Sequence, residues 1–281
     1  MNAIEVRGLT KRYPHFTLDK LDLTLPAGCV LGLIGENGAG KSTAIKLLLN
    51  VIGRDAGEGT ILGAPLGEEL AAVREEIGFV IDGAEFPPNV RPYRLNQLMR
   101  QVYRNWDAVA FERCIRQLGV PLSTKYRALS TGNKMKLKLA VALSHHARLL
   151  ILDEPTAGLD PLVRDGLVGV LTEFTRDPSH SILISSHIVS DLEKLCDYIA
   201  FLRAGKLVLV EEKDRLFERY GVINCTREDL EALDPEAVLG TRSTPYGMQA
   251  LVLRDAAPGD TEFAGMNLED LYLFLARGWS V

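Results

Sequence analysis

The sequence has no long hydrophobic run and no basic run. No segment approaches the roughly 20 consecutive apolar residues that span a bilayer, and the start of the chain, MNAIEVRGLTKRYP, lacks an apolar stretch of the signal-peptide type. Any role at a membrane is therefore expected to come through a partner protein. The net charge of -5 argues against nucleic acid as a partner, because that affinity comes largely from Lys and Arg that neutralise phosphates.

Cysteine is also scarce. The chain has four cysteines without the paired spacing of a zinc site or a redox motif: Cys29, Cys114, Cys196 and Cys225. We therefore expect reduced thiols in a cytosolic compartment. With 47% hydrophobic and 25% charged residues, the composition is that of an ordinary globular protein. At roughly 150 residues per domain, the 281 residues predict one large domain, or one domain with a smaller companion.

The first motif is glycine-rich. A strand-like apolar run from Val30 continues into IGENGAGKST and then into the helical run AIKLLLNVI. The segment from Gly35 to Ser42 fits the pattern G-x-x-x-x-G-K-[ST] between a strand and a helix, the context that a phosphate-binding loop requires. Its glycines let backbone N–H groups surround phosphate oxygens at the positive end of the helix dipole. The alternative is a glycine-rich turn that merely joins a strand to a helix.

Two residues of this loop have specific predicted roles. Lys41 is expected to reach the β- and γ-phosphates of a nucleotide, and Ser42 is expected to ligate Mg²⁺. The other nucleotide-binding candidates in the loop are Gly35, Asn37, Gly38, Ala39, Gly40 and Thr43.

Two adjacent acids follow a second apolar run, RLLILDEPT. They stand where a buried strand is expected to emerge toward the nucleotide. Asp153 can hold Mg²⁺ through its water shell, and Glu154 can polarise the attacking water. The alternative, two solvated acids at a strand end, is weakened by the presence of the phosphate loop.

The segment LSTGNKMKLKLA, Leu129 to Ala140, predicts a second anion site at a helix start. Ser130 suits the N-cap, Gly132 allows backbone to approach closely, and the first turn offers unpaired N–H donors. Alternatively, Ser130 only caps an amphipathic helix that packs on the core, and both interpretations can hold together. A GTPase guanine reader is not found, because NKMK carries Lys136 where that motif needs an acid.

The order of the motifs resembles that of an ABC-type ATPase. The phosphate loop is followed by LSTGN, then LLILDEP, then AGLD at Ala157 to Asp160, and then His187 after ILISS. The resemblance covers about residues 1 to 213. It implies that the chain binds ATP with Mg²⁺, hydrolyses the ATP, and forms a dimer in which each nucleotide lies between two copies.

The resemblance also assigns residues. It implies that Ser130 and the N–H groups after it contact the γ-phosphate of the nucleotide held by the other copy, and that Asp160 crosses the dimer interface. His187 resembles the histidine that contacts γ-phosphate and helps to position the catalytic Glu154. The alternative for His187 is an ordinary histidine at a strand end.

Two positions depart from the pattern or match it less closely. Tyr13 stands where the family places an aromatic ring against adenine, but core packing or loop anchoring explains Tyr13 or the nearby Phe16 about as well. Asp82 ends the segment IGFVID, where the family usually has a glutamine that joins Mg²⁺ and the attacking water to the membrane subunit. Asp82 is therefore a metal-site candidate, and an ordinary solvated loop acid is the alternative.

Together with this resemblance, the sequence predicts an α/β fold with a P-loop (RecA-like) ABC ATPase core. The predicted parts are a β-rich N-terminal subdomain to about Gly28, a helical subdomain over about 85–145 within an ATP-binding domain of 1–213, and a small C-terminal α/β accessory domain of 214–281. That last segment, with the strand-like MQALVLR and the helix NLEDLYLFLARG, is similar to the tail of ATP-binding subunits of bacterial ABC-2-type exporters, including the group resembling peptide-antibiotic resistance and GntR-linked transporters.

The function implied by these resemblances is that of an ATPase subunit of a bacterial ABC transporter, an exporter. It would act as a homodimer, peripheral on the cytoplasmic face of the cell membrane, with a separately encoded transmembrane permease. The rival is a soluble ABC ATPase that remodels a protein or nucleic-acid complex. One cassette, no long coiled coil and no basic tail argue against that rival.

Overall fold

A computed structural model describes residues 1–245, 247–258 and 261–277. The strands are β1 (Asn2–Tyr13), β2 (Phe16–Pro26), β3 (Val30–Ile34), β4 (Ala56–Ile61), β5 (Ala64–Pro65), β6 (Ile77–Val80), β7 (Leu149–Asp153), β8 (Ser181–Ser186), β9 (Tyr198–Arg203), β10 (Lys206–Glu212), β11 (Tyr220–Cys225), β12 (Val238–Thr244) and β13 (Gly247–Leu253). The α-helices are α1 (Lys41–Leu48), α2 (Pro92–Val102), α3 (Ala108–Gln117), α4 (Thr131–Leu143), α5 (Pro161–Phe174), α6 (Val189–Leu195), α7 (Lys213–Arg219), α8 (Arg227–Ala232) and α9 (Leu268–Arg277).

The central sheet has six strands in the order β10-β9-β3-β8-β7-β6. The last five of these are parallel, and β10 pairs antiparallel with β9 at one edge. Strands β3 and β7 are buried along their whole length, because helices and a second sheet cover both faces. Alternate residues join separate hydrophobic clusters: Val30 and Ile34 belong to one, and Leu31 and Leu33 belong to the other.

The predicted β-rich start of the chain forms a separate antiparallel sheet. Its order is β2-β1-β4-β5, and β1 and β2 form a hairpin in which Tyr13 pairs with Phe16 across the turn. Leu9 and Leu18 of this hairpin share a buried cluster with Ile45 of α1. The sheet therefore packs against the helix that follows the phosphate loop.

Helices α2, α3 and α4 lie within the predicted helical segment. Phe111 and Leu137 are buried in one cluster with residues of the central sheet. Asp107 starts α3 by accepting hydrogen bonds from the N–H groups of Val109 and Ala110, as an N-cap aspartate does. The limits of this subdomain at about 85 and 145 stay a prediction.

The C-terminal appendage is a three-stranded antiparallel sheet, β11-β13-β12, with α9 packed beside it. The predicted strand MQALVLR lies in β13 except for its last residue, Arg254, and the predicted final helix lies largely in α9. Leu268 and Phe274 are buried in the same cluster as Phe201 of the central sheet. The division at 213/214 stays a prediction, and residues 246, 259–260 and 278–281 lie outside the described residues.

Across the described residues, none of the helices is long and apolar enough to cross a membrane.

Candidate active site

The sheet order brings the predicted site residues to one edge. Strands β3, β8, β7 and β6 are parallel neighbours, so their carboxyl ends lie side by side. The phosphate loop follows β3, and His187 follows β8 directly. Asp153 ends β7 with Glu154 after it, and Asp82 comes two residues after β6. Ligands of open α/β sheets bind outside this edge, which is where sequence patterns alone predicted the nucleotide.

Two glycines of the phosphate loop are required by its geometry. A Cβ at Gly35 would collide with the backbone oxygen of Leu202, so only glycine fits there. Gly40 is the N-cap of α1 with φ of 111°, and a Cβ there would lie 2.8 Å from Cζ of Phe16. Because Gly40 supplies no side-chain cap, the first-turn N–H groups of α1 have no side-chain acceptor at that position. These are the donors that the sequence assigned to phosphate.

Lys41 is the first residue of α1, and its side chain points into the loop. It is only 5% exposed, and its Nζ donates to the backbone oxygens of Gly35 at 2.6 Å and Glu36 at 3.3 Å. The same Nζ lies 3.0 Å from Oε1 of Glu154. The loop therefore holds the ammonium group against the residue predicted to activate water.

Glu154 also contacts His187. Nδ1 of His187 lies 2.7 Å from Oε2 of Glu154, and the backbone N–H of His187 donates to the same oxygen at 3.2 Å. Because a carboxylate only accepts, Nδ1 carries the proton in this contact and Nε2 is the nitrogen left for another partner. The backbone of Glu154 has φ of 48°, a left-handed conformation that non-glycine residues rarely adopt and that is common at functional sites.

Ser185 is a site residue that the sequence analysis missed. Its hydroxyl donates to Oδ1 of Asp153 at 2.7 Å and accepts from the N–H of Glu154 at 3.0 Å. Ser185 is fully buried at the end of β8, next to β7. The only sequence signal was the pair of small polar residues that ends ILISS, and its meaning depends on a strand pairing that the sequence does not state.

The residues present fit a magnesium ion bound together with a nucleotide. Asp153 is 4% exposed, and its Oδ2 has no hydrogen-bond partner in the described part of the chain. Ser42 lines the same cavity as Lys41 and Glu154. No cluster of three or more His, Cys, Asp or Glu able to hold a metal occurs among the described residues. Mg²⁺ does not need one, because it usually takes one or two protein ligands together with substrate phosphates.

The two aromatic candidates both line the cavity over the phosphate loop but differ in exposure. Tyr13 and Phe16 both line it, with ring centroids 6.4 Å apart. Tyr13 is 42% exposed at the end of β1, whereas Phe16 is partly buried and packs against the hydrophobic cluster of the N-terminal sheet. The ring of Tyr13 is thus the one available to a base, and Phe16 supports the loop.

Ser130 and Gly132 do not line this cavity in the described chain. Ser130 is exposed at the N-cap of α4, where its Oγ accepts from the N–H of Asn133 at 3.3 Å, so the predicted capping role is observed. A Cβ at Gly132 would make only ordinary contact, 3.6 Å from Cγ1 of Val163. Nothing within the described chain therefore requires glycine at this position.

Asp160 and Asp82 are also placed outside the contacts of Lys41 and Glu154. Asp160 is the exposed N-cap of α5, and its Oδ1 accepts from the N–H of Val163 at 3.0 Å. Asp82 is exposed, and its Oδ1 accepts from the N–H of Gly83 at 2.9 Å. The predicted role of Asp160 needs a second copy of the chain, and that of Asp82 needs Mg²⁺ or a membrane subunit.

Comparison with known proteins identifies the family. A profile described as ABC transporter matches residues 18–157. The bacitracin transport ATP-binding protein BcrA of Enterococcus faecalis is 31% identical over 209 residues, which cover 73% of this chain and 68% of that protein. The chain belongs to the ABC transporter family of ATP-binding proteins. It is an ATPase subunit of a transporter, and the predicted P-loop α/β fold is confirmed.

Two further likenesses extend over most of the chain. The ABC transporter ATP-binding protein YtrB of Bacillus subtilis (strain 168) is 28% identical over 283 residues, covering 96% of this chain and 97% of that protein. A solved structure described as the ATP binding subunit of ABC transporter superposes with a TM-score of 0.68 at 26% identity, covering 77% of this chain and 93% of that one. The match to YtrB includes the C-terminal appendage.

Proposed function

We propose that this ATPase powers a bacterial exporter, with two copies closing around ATP on the cytoplasmic face of a separately encoded transmembrane permease. The observation that carries the catalytic part is the contact series Lys41–Glu154–His187 at the mouth of the phosphate loop. The export direction is supported by the strand-and-helix appendage, which is similar to that of ABC-2-type exporter subunits. BcrA, a bacitracin transport ATP-binding protein, supports the transport role without a direction.

Each residue of the contact series has a separate task. Lys41 turns from Glu154 to the β- and γ-phosphates, which frees Oε1 of Glu154 to polarise the attacking water. His187 stays hydrogen-bonded to Oε2, so the carboxylate keeps its orientation while Oε1 polarises the water. Ser42 and Asp153 would hold Mg²⁺, which neutralises charge on the phosphates when bound. Asp82 is assigned to the water shell of the metal or to signalling toward the permease.

The second copy completes the site. Ser130 and Asp160 are exposed helix N-caps outside the phosphate-loop cavity, so they can serve a nucleotide held by another molecule. A two-fold dimer is isologous, and it would place Ser130 of each copy opposite Lys41 of the other. The helix N-terminus after Ser130 then supplies N–H donors to the γ-phosphate.

Turnover by the purified chain tests the catalytic assignment. We expect Mg²⁺-dependent ATP hydrolysis that is lost in Lys41→Ala and kept in Lys46→Ala. Lys46 lies on the same helix, in its last turn, and therefore controls for loss of one positive charge from α1. Wild-type turnover by Lys41→Ala would remove the phosphate loop from the mechanism.

Capture from membranes tests the partner. The chain carrying Glu154→Gln would be expressed with its neighbouring genes, cross-linked with ATP present and purified. An integral membrane protein as the main cross-linked partner supports the transporter proposal. A soluble complex or nucleic acid as the main partner supports the remodelling ATPase instead.

A further inference from the structure

Helix α6, which follows His187, is joined to α5 by a largely buried ion pair. Asp191 lies in the first turn of α6, and its Oδ1 is 3.5 Å from Nε of Arg164 on α5. Asp191 is 7% exposed, and its Oδ2 has no hydrogen-bond partner in the part of the chain that the structure describes. Arg164 thus supplies the charge that compensates this carboxylate.

Helix α5 begins after Asp160, and α6 begins shortly after His187. The backbone N–H of Arg164 donates to the oxygen of Asp160, the N-cap of α5, at 3.0 Å. The backbone N–H of Asp191 donates to the oxygen of Ile188, the residue after His187, at 3.3 Å. The ion pair therefore joins the first turn of α5, which follows Asp160, to the first turn of α6, which follows His187.

We propose that the Arg164–Asp191 ion pair is a positioning contact that sets the placement of His187 on Glu154 according to the position of Asp160. The inference rests on the proposed function, because it needs Asp160 to meet a second copy. A partner that moves the start of α5 would move α6 with it, and His187 would shift on Oε2 of Glu154.

The electrostatics of the pair make this link stiff. A carboxylate taken out of water is strongly destabilised when its partner is removed, because one buried charge is then left without compensation. Sliding α5 past α6 would do the same to Asp191. The two helices are therefore expected to move as one unit rather than separately.

Glu193 on the same helix provides a matched control. It connects α6 to other elements: its Oε2 accepts from the N–H of Leu268 at 3.2 Å, and its backbone oxygen accepts from Nζ of Lys213 at 2.9 Å. Glu193→Gln removes one negative charge from α6, as Asp191→Asn does, but leaves the contact with α5 in place.

The first measurement is steady-state ATP turnover with melting temperature. We expect Asp191→Asn and Arg164→Gln to lower kcat by about 3- to 30-fold, with KM for ATP near the wild-type value. Arg164→Lys, which keeps the charge, should retain most of kcat, and Glu193→Gln should match the wild type. Arg164→Gln covers the case in which Asp191→Asn does not fold, because Arg164 is the more exposed partner. A pair that is merely structural would lower the melting temperature and ATP affinity together with kcat, and that result overturns the proposal.

The second measurement observes His187 directly. Spectra of protein labelled with ¹⁵N-histidine, assigned with His187→Ala, report the Nδ1 proton donated to Glu154. The signal should move in Asp191→Asn and stay in place in Glu193→Gln. A signal that does not move, or that moves equally in both variants, overturns the proposal while wild-type turnover and its loss in Lys41→Ala leave the proposed function intact. Absence of turnover in the wild type would instead count against the proposed function itself.

Discussion

Nζ of Lys41 lies 3.0 Å from Oε1 of Glu154, while His187 donates to Oε2 of the same carboxylate. The cation assigned to phosphate and the carboxylate assigned to water therefore form one ion pair. The contact between Lys41 and Glu154 is an ion pair in which Lys41 is buried and Glu154 is partly exposed. A phosphate that attracts Lys41 would release Oε1, which links nucleotide binding to activation of the base.

Glu154→Gln should stop turnover and also strengthen ATP binding. The amide keeps the shape of the side chain but neither polarises water well nor pairs with Lys41. Because the pair is partly exposed, the gain in affinity should be modest, about 2- to 10-fold. Nucleotide titration of the monomer measures the gain, and sizing with Mg-ATP should show a trapped dimer.

Glu36→Gln is the control for that titration. It removes a negative charge from the same cavity but leaves the Lys41–Glu154 ion pair intact, and Lys41 contacts only the backbone oxygen of Glu36. Equal affinity gains in the two variants would mean that general charge repulsion is responsible. A Glu154→Gln variant that stays monomeric at saturating ATP and turns over normally would refute the catalytic assignment.

Ser185→Ala should lower kcat because it removes the hydroxyl that joins Asp153 to the backbone of Glu154. Loss of a buried hydrogen bond should also cost about 1–3 kcal/mol of unfolding free energy. Ser181→Ala is the matched control: Ser181 is buried at the other end of β8, where its Oγ accepts from the N–H of Gly28 at 2.9 Å. We expect a similar loss of stability in Ser181→Ala with normal kcat. Denaturant unfolding and steady-state assays separate the two, and equal kcat in both variants would show that Ser185 has only a structural role.

The sequence predicted those parts of the site that are contiguous in the chain. Each of these parts has a local pattern that depends on interactions within about ten residues. They are the phosphate loop, the acids at the end of β7 and the N-cap of α4. The collision that excludes a side chain at Gly35 involves Leu202, and the hydroxyl that holds Asp153 comes from Ser185. Such contacts depend on which strands are neighbours, and local periodicity does not encode that order.

Ser130→Arg should abolish hydrolysis while leaving the ATP affinity of the monomer nearly unchanged, because Ser130 is proposed to act on the nucleotide of the other copy. Ser130→Gly distinguishes a blocked helix start from loss of the hydroxyl: glycine at an N-cap costs only a few tenths of a kcal/mol and keeps the helix start open, so this variant should still form the ATP-dependent dimer. Mixing a Lys41→Ala chain with a Ser130→Arg chain should restore one intact composite site. Turnover in the mixture, measured against each chain alone, checks the arrangement, and failure of the mixture to form any ATP-dependent dimer would count against it.

Asp82 should act through the permease rather than on phosphate. A carboxylate about 4 Å from a phosphate charge would be repelled by roughly 4 kcal/mol at an effective dielectric constant of 20, before Mg²⁺ offsets it. The exposed side chain instead accepts from the N–H of Gly83. Three residues further on, Glu85 pairs with Lys138 of α4 at 2.6 Å, and that hydrogen bond lowers the pKa of Glu85. The loop after β6 is thus attached to the helix that begins at Ser130.

Asp82→Ala tests whether the exposed carboxylate of this loop acts through the permease. ATP affinity and turnover of the isolated subunit should stay near wild type, whereas turnover in the presence of the permease should fall, because the loop then loses the polar group that faces outward. Asp82→Gln, which restores the residue usual in the family, should recover much of the permease-dependent rate. ATPase rates with and without the permease in lipid vesicles decide the matter. Unchanged rates in both settings would make Asp82 an ordinary solvated acid, and a large loss of ATP affinity in the isolated subunit would mean that it serves Mg²⁺ directly.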